Sequence, residues 1–175
     1  MTHHPNRRAF LGTAAATALA APMAKAHTEA PGSEDFAYEV TRTEEEWRAM
    51  LTEDEYRIMR EFGTEPRFSS DYWQSEEAGH YHCKGCNLTI YDSDQKTNRL
   101  IGWVFFHHSR PDNVLLGIDE WPAQMSETEI EEVRQVTEVH CRRCGSHLGH
   151  YLIVQGEMLH CINGASLSFA ADEAS

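Results

Sequence analysis

Along residues 43–62 apolar side chains recur at helical spacing between runs of acid: Trp47, Met50 and Leu51 form one face, and Tyr56, Met59 and Phe62 a second. Each face follows a capping-box pattern, Thr43-Glu-Glu-Glu46 and Thr52-Glu-Asp-Glu55, in which the Thr hydroxyl accepts a free backbone N–H and the Glu three residues on reaches back. Two short helices are therefore expected, the second stopping at Gly63. From Pro66 onward the pattern changes to short aromatic and β-branched runs broken by Gly, Asn and Asp. Strands are expected at residues 81–83, 88–91, 103–106, 136–140, 151–154 and 158–161, with a helical turn within residues 126–134 (SETEIEEVR). Helices first and many short strands after predict an α+β domain, mainly antiparallel.

The first residues stand outside this pattern. NRRAFL at residues 6–11 leads into an uncharged, Ala-rich run and then Ala24-Lys25-Ala26, which reads as a signal peptide over residues 1–26. The adjacent Arg7 and Arg8 fit the twin-arginine type, so an exported, periplasmic protein is expected. Residues 27–37 (HTEAPGSEDFA) read as a linker, leaving one domain over residues 38–175. The whole chain carries a net charge of −13. Cleavage would remove three of the 15 basic residues and no acid, so 12 would face 28 acids at a net −16. Such a surface lacks the basic footprint that nucleic acid or an anionic membrane requires. A monomer is expected once the leader is gone.

The cysteines change the picture most. Cys83-Lys-Gly-Cys86 and Cys141-Arg-Arg-Cys144 are two C-x-x-C knuckles with 54 residues between them. A two-residue spacer on a tight turn aims both sulfurs at one point, and two such turns complete the four-thiolate tetrahedron that zinc accepts. Asn87 and Gly145, each following a second cysteine, suit the turn. One structural zinc is the reading the spacing favours, and it would tie distant segments together. Disulfides, which export favours, remain open. A thioredoxin-like redox pair would need a strand-to-helix setting that neither knuckle has.

Cys161, the fifth cysteine, is then left over. It follows His160 and precedes Asn163, and HLGH at residues 147–150 comes directly after the second knuckle. A histidine beside a thiol both favours thiolate and supplies a proton. The alternative is a cysteine buried for packing alone.

Taken in order, GTEPRFSSDYW, CKGC, GWVFF, CRRCGSHLGH and HCINGASLSF resemble the B-type family of methionine-R-sulfoxide reductases, from about Trp47 to Phe169. The resemblance implies a β-tent-like core of two antiparallel sheets with helices on the N-terminal side and a structural zinc site. It implies Cys161 as nucleophile, His150 as principal acid with His147 in support, and Asn163 as a substrate-binding amide. Trp103 would receive the substrate methyl, with Phe106 in the same wall. The implied activity is thiol-dependent reduction of methionine-R-sulfoxide, free or in proteins, through a Cys161 sulfenic acid cleared by an external thiol or a thioredoxin-like reductant.

Several positions depart from the family pattern. Val104 and Phe105 replace the usual Pro-Ser, and Ile101 stands where many members carry a resolving cysteine. Only YLIVQGEML separates HLGH from the region of the nucleophile, without the aspartate and longer loop common there. Ser168 stands where a basic residue is usual, a change expected to bear on peptide preference or on the thiolate. These departures keep two rivals in view, a zinc-stapled binding module without activity and a thiol peroxidase using Cys161.

Overall fold

A computed structural model describes residues 36–119 and 136–173. The leader, most of the linker and the expected turn at residues 126–134 lie outside the described residues. Both capping boxes form: α1 (Glu44–Met50) and α2 (Glu53–Arg60) begin at Thr43 and Thr52, with the reciprocal Thr and Glu bonds in place. Trp47, Tyr56, Ile58 and Met59 are buried, while Met50 stays exposed. The stop of α2 differs in detail from expectation. The left-handed residue is Phe62 (φ 57°) rather than Gly63. Gly63 instead donates its N–H to the Arg57 carbonyl, and a Cβ there would lie 2.8 Å from that oxygen. Its role is close approach of two backbones.

Among the described residues nine strands follow: β1 (Gly79–Cys83), β2 (Thr89–Asp92), β3 (Lys96–Thr97), β4 (Val104–Phe106), β5 (Val114–Asp119), β6 (Val136–Cys141), β7 (His147–Val154), β8 (Glu157–Ile162) and β9 (Leu167–Ala171). They form two antiparallel sheets, ordered β2-β1-β9 and β3-β4-β8-β7-β6-β5. The architecture is the mainly antiparallel, two-sheet α+β fold that the sequence predicts. The six expected strands are present, and β3, β5 and β9 are additional.

Aromatic side chains join the sheets. Tyr91 of β2 stacks on Phe106 of β4 with ring centroids 4.1 Å apart, and the Tyr91 hydroxyl pairs with His160 Nδ1 of β8 at 2.9 Å. Tyr81 and Phe169 extend the contact, with centroids at 4.9 Å. Burial of these rings removes large apolar areas from water and fixes one strand register, because a one-residue slip would invert every side chain. The helices cover the end of the molecule where the two C-x-x-C knuckles meet, and there the guanidinium groups of Arg42 and Arg60 lie over the Trp47 ring at 4.8 and 4.7 Å. Among the described residues no helix is long and apolar enough to cross a membrane.

Candidate active site and metal centre

The two knuckles are built alike. Cys83 ends β1 and Cys141 ends β6; each accepts at its carbonyl the N–H four residues on, from Asn87 at 2.7 Å and Gly145 at 2.8 Å. Each donates its own N–H five residues on, Cys83 to Leu88 and Cys141 to Ser146. Asn87 and Gly145 take the left-handed conformation that closes the turn, with φ of 59° and 69°. The four sulfurs lie within 4.8 Å of one another, with Cys83 to Cys144 at 3.7 Å and Cys86 to Cys141 at 3.5 Å. Thiolates at about 2.3 Å from a tetrahedral ion stand about 3.8 Å apart, so the set fits one metal ion with little adjustment. All four are free thiols. The arrangement therefore favours a metal over the disulfide reading.

Across the six-stranded sheet the register sets Phe105, Cys161, His150 and Glu138 in one row, each directly opposite the next. Residues opposite one another in antiparallel strands share a face, with Cβ atoms about 4.5–5.5 Å apart. His150 is thus the cross-strand neighbour of Cys161. His160, adjacent to Cys161 in the chain, faces the other way and is held by Tyr91. Burial, with His108 adding to it, lowers the His160 pKa to about 4, so it stays neutral. The strands come close here: a Cβ on Gly149 would lie 2.1 Å from the Cys161 carbonyl oxygen. The glycine of HLGH is what lets β7 approach β8 at Cys161.

Behind His150 lies a buried carboxylate. The His147 and His150 rings meet edge to face at 5.1 Å, and His147 Nδ1 lies 2.9 Å from Glu138 Oε1. His140 Nδ1 is 3.5 Å from the other Glu138 oxygen. Burial alone would raise the Glu138 pKa, but the close contact with His140 and the hydrogen bond with His147 outweigh it and hold the carboxyl down at about 2. The resulting carboxylate favours the tautomer of His147 that carries its proton on Nδ1. Glu138 thereby provides the polar support that the missing aspartate leaves vacant in the sequence.

Cys161 lies in an apolar cluster with Phe105, Val154 and Leu159, flanked by Ile101, Trp103 and Leu152. Burial, and then the Glu65 carboxylate, push its thiol up to about 12 against the opposing pull of Arg67. Trp103 is in the same cluster as Cys161, and its Nε1–H donates to the Glu65 carbonyl at 3.1 Å. Phe106 is not brought there. It sits on the opposite face, fully buried against Tyr91, and the adjacent Phe105 is the ring beside Cys161. Asn163 is close in the chain but engaged: its amide donates to the Leu148 carbonyl at 3.1 Å and accepts the Glu65 N–H at 2.9 Å. Ile101, the position expected from the resemblance to hold a resolving cysteine in many members, belongs to the Cys161 cluster and carries no thiol. Ser168 lies in the three-stranded sheet opposite His82.

Glu138 and Glu65 are the residues that sequence reasoning missed. For Glu138 a signal exists, a lone acid inside the otherwise strand-like VTEVHC. Glu65 carries none, because its partners lie about a hundred residues further along the chain.

Comparison with known proteins gives the family of the chain. A family model described as the SelR domain matches residues 51–171. A protein of Cellvibrio japonicus named peptide methionine sulfoxide reductase MsrB is 35% identical over 132 residues, 74% of this chain and 88% of that protein. The protein of that name from Herminiimonas arsenicoxydans is 39% identical over 137 residues, 75% of this chain and 92% of its own. Peptide methionine sulfoxide reductase B3 of Arabidopsis thaliana is 35% identical over 145 residues, 80% of this chain and 72% of its own. The chain belongs to the SelR-domain family.

Proposed function

We propose that this protein reduces methionine-R-sulfoxide to methionine with Cys161 as its sole redox cysteine. The observation that carries the reading is the cross-strand pair of Cys161 and His150, with Trp103 in the same apolar cluster. The Cys161 thiolate attacks the sulfoxide sulfur, and a sulfur–sulfur bond forms as the sulfur–oxygen bond breaks. His150 and solvent each give a proton to the departing oxygen, which leaves as water rather than as oxide, and one of the two is returned by the water that attacks next. Water then takes the Cys161 sulfur, the electron pair of the sulfur–sulfur bond goes to methionine, and Cys161 is left as sulfenic acid. Two equivalents of an external thiol, or one dithiol of a thioredoxin-like partner, return it to thiol and release water.

The residues around this pair assist by position. Trp103 and Phe105 offer the apolar wall for the substrate methyl, so that the oxygen of one epimer alone faces His150. The ionised Glu138 orients His147, and His147 orients His150. The four-cysteine centre would hold zinc, which ties β1 and β6 together and lends folding energy without touching the substrate. Export belongs to the same proposal and rests on the Arg7-Arg8 leader pattern, with repair of exported proteins as the setting.

The reading is tested by incubating the protein with each methionine sulfoxide epimer, and with peroxide, under excess dithiothreitol. Consumption of the R epimer alone is expected. Turnover of peroxide alone would assign a thiol peroxidase, and no turnover of any of the three would leave a binding module.

A further inference from the structure

Residues 65–68 follow α2 and are fastened both to the turn after β8 and to the residues before β4. The Glu65 carboxylate accepts the N–H groups of Gly164 and Ala165 at 2.7 and 2.9 Å, in the turn that follows the nucleophile strand. The Glu65 N–H donates to Asn163 Oδ1, and its carbonyl accepts the Trp103 indole N–H. Phe68 donates its N–H to the Gly102 carbonyl at 2.8 Å. The Arg67 guanidinium lies over the Trp103 ring, 4.6 Å from its centroid. Glu65 is 3% exposed, and a carboxyl so buried is tolerated because backbone donors satisfy both its oxygens.

We propose that Glu65 and Arg67 are positioning residues that together set the reactivity of Cys161. Glu65 fixes the end of the Cys161 strand, Asn163 and the Trp103 indole relative to one another, and Arg67, held over the Trp103 ring that shares the apolar cluster of Cys161, sets a cation beside that cluster. The charged and titratable groups around Cys161 are few. Glu65 and Arg67 approach from the segment before β1, and His150 from β7, with His147 and Glu138 behind it. Tyr91 of β2 and His160 lie on the far face of the sheet, and β4 presents only the Phe105 ring. The Glu65 carboxylate opposes the Cys161 thiolate and the Arg67 guanidinium favours it. Substitutions at the two sites must therefore move the thiol in opposite directions, which loss of packing alone would not do.

The consequence for turnover rests on the reductase reading, but the decisive test does not. The metal-loaded full chain and its Glu65→Gln and Arg67→Gln variants are alkylated with iodoacetamide across pH, and modification of Cys161 is followed by peptide mass spectrometry. Glu65→Gln is expected to shift the rate profile to lower pH, and Arg67→Gln to higher pH. With methionine-R-sulfoxide, Glu65→Gln should also raise KM, since Trp103 and Asn163 lose their common anchor. Profiles that coincide with the parent, or that shift in the same direction, overturn the proposal. If Glu65→Gln does not fold, the exposed Arg67 decides alone: an upward shift supports the assignment and an unshifted profile ends it. Opposite shifts in a protein that reduces no sulfoxide would fault the reductase reading and leave this one standing.

Discussion

His150 stands directly opposite Cys161 across the β7–β8 pair, with Gly149 beside it making room for the Cys161 carbonyl. This relation brings together residues that HLGH and HCIN place eleven positions apart in the chain, and the proposed function makes them proton donor and nucleophile. Cys161→Ser is expected to abolish sulfoxide reduction, and His150→Ala to slow it by about 10²–10⁴-fold, the range for a lost general acid. Circular dichroism should show both variants folded. Retained turnover in Cys161→Ser would remove the nucleophile assignment.

Glu138 acts on the same pair from one strand further away. Glu138→Gln should lower kcat at least about tenfold but less than His150→Ala does, because it disorders the support and leaves the acid in place. The carboxyl is held at about 2, below its ordinary 4.5, so its contribution is complete above pH 4.5 and is lost only as the pH falls toward 2. The ratio of parent to variant activity should accordingly be flat from pH 5 upward. A ratio that changed through neutral pH would contradict the ionised state assigned to Glu138.

Local signals carried much of the fold into view. The capping boxes and the knuckle turns need only neighbours in the chain, and both form as the sequence predicts. Phe106 shows where that reading ends. Which of Phe105 and Phe106 faces Cys161 depends on strand register, a tertiary quantity in which one residue reverses the face. Glu138 was hidden for a related reason: an acid in a strand ordinarily faces solvent, and only the cross-strand histidines reveal it as a buried partner. Strand β9 is similarly obscure, because its run ends in two alanines and its pairing with β1 supplies what its composition does not.

Gly149→Ala tests the close approach of β7 and β8. The added methyl would meet the Cys161 carbonyl oxygen at 2.1 Å. Because backbone rather than a flexible side chain must yield, a loss of about 1–3 kcal/mol in stability is expected. Denaturant unfolding measures this, and a stability equal to the parent would show that the strands are not so tightly apposed.

The metal centre should bind one zinc per chain, and Cys83→Ser or Cys141→Ser should unfold or strongly destabilise the protein. Metal analysis of folded, active protein checks the stoichiometry. Absence of zinc, or a mapped Cys83–Cys86 disulfide, would replace the staple with a different cross-link.

The thiol of Cys161, pushed up to about 12, is mostly protonated at neutral pH. Its alkylation rate should therefore rise about tenfold per pH unit from pH 7 to 10 without a plateau. Stopped alkylation with mass detection measures this, and a plateau below pH 8 would mean that the surroundings favour the thiolate far more than Glu65 and burial allow.

The central claim is that Cys161 works alone: four cysteines are gathered at the metal centre and Ile101 occupies the usual resolving position, so no thiol within the described residues remains to meet the sulfenic acid. The most direct measurement is a single turnover without reductant, in which one equivalent of methionine-R-sulfoxide is added and intact mass, a sulfenic-acid probe and released methionine are followed together. The account predicts one methionine per chain, one added oxygen, probe on Cys161 and no new disulfide. Recovery of a disulfide between Cys161 and any of Cys83, Cys86, Cys141 or Cys144, with metal released in proportion, would contradict it.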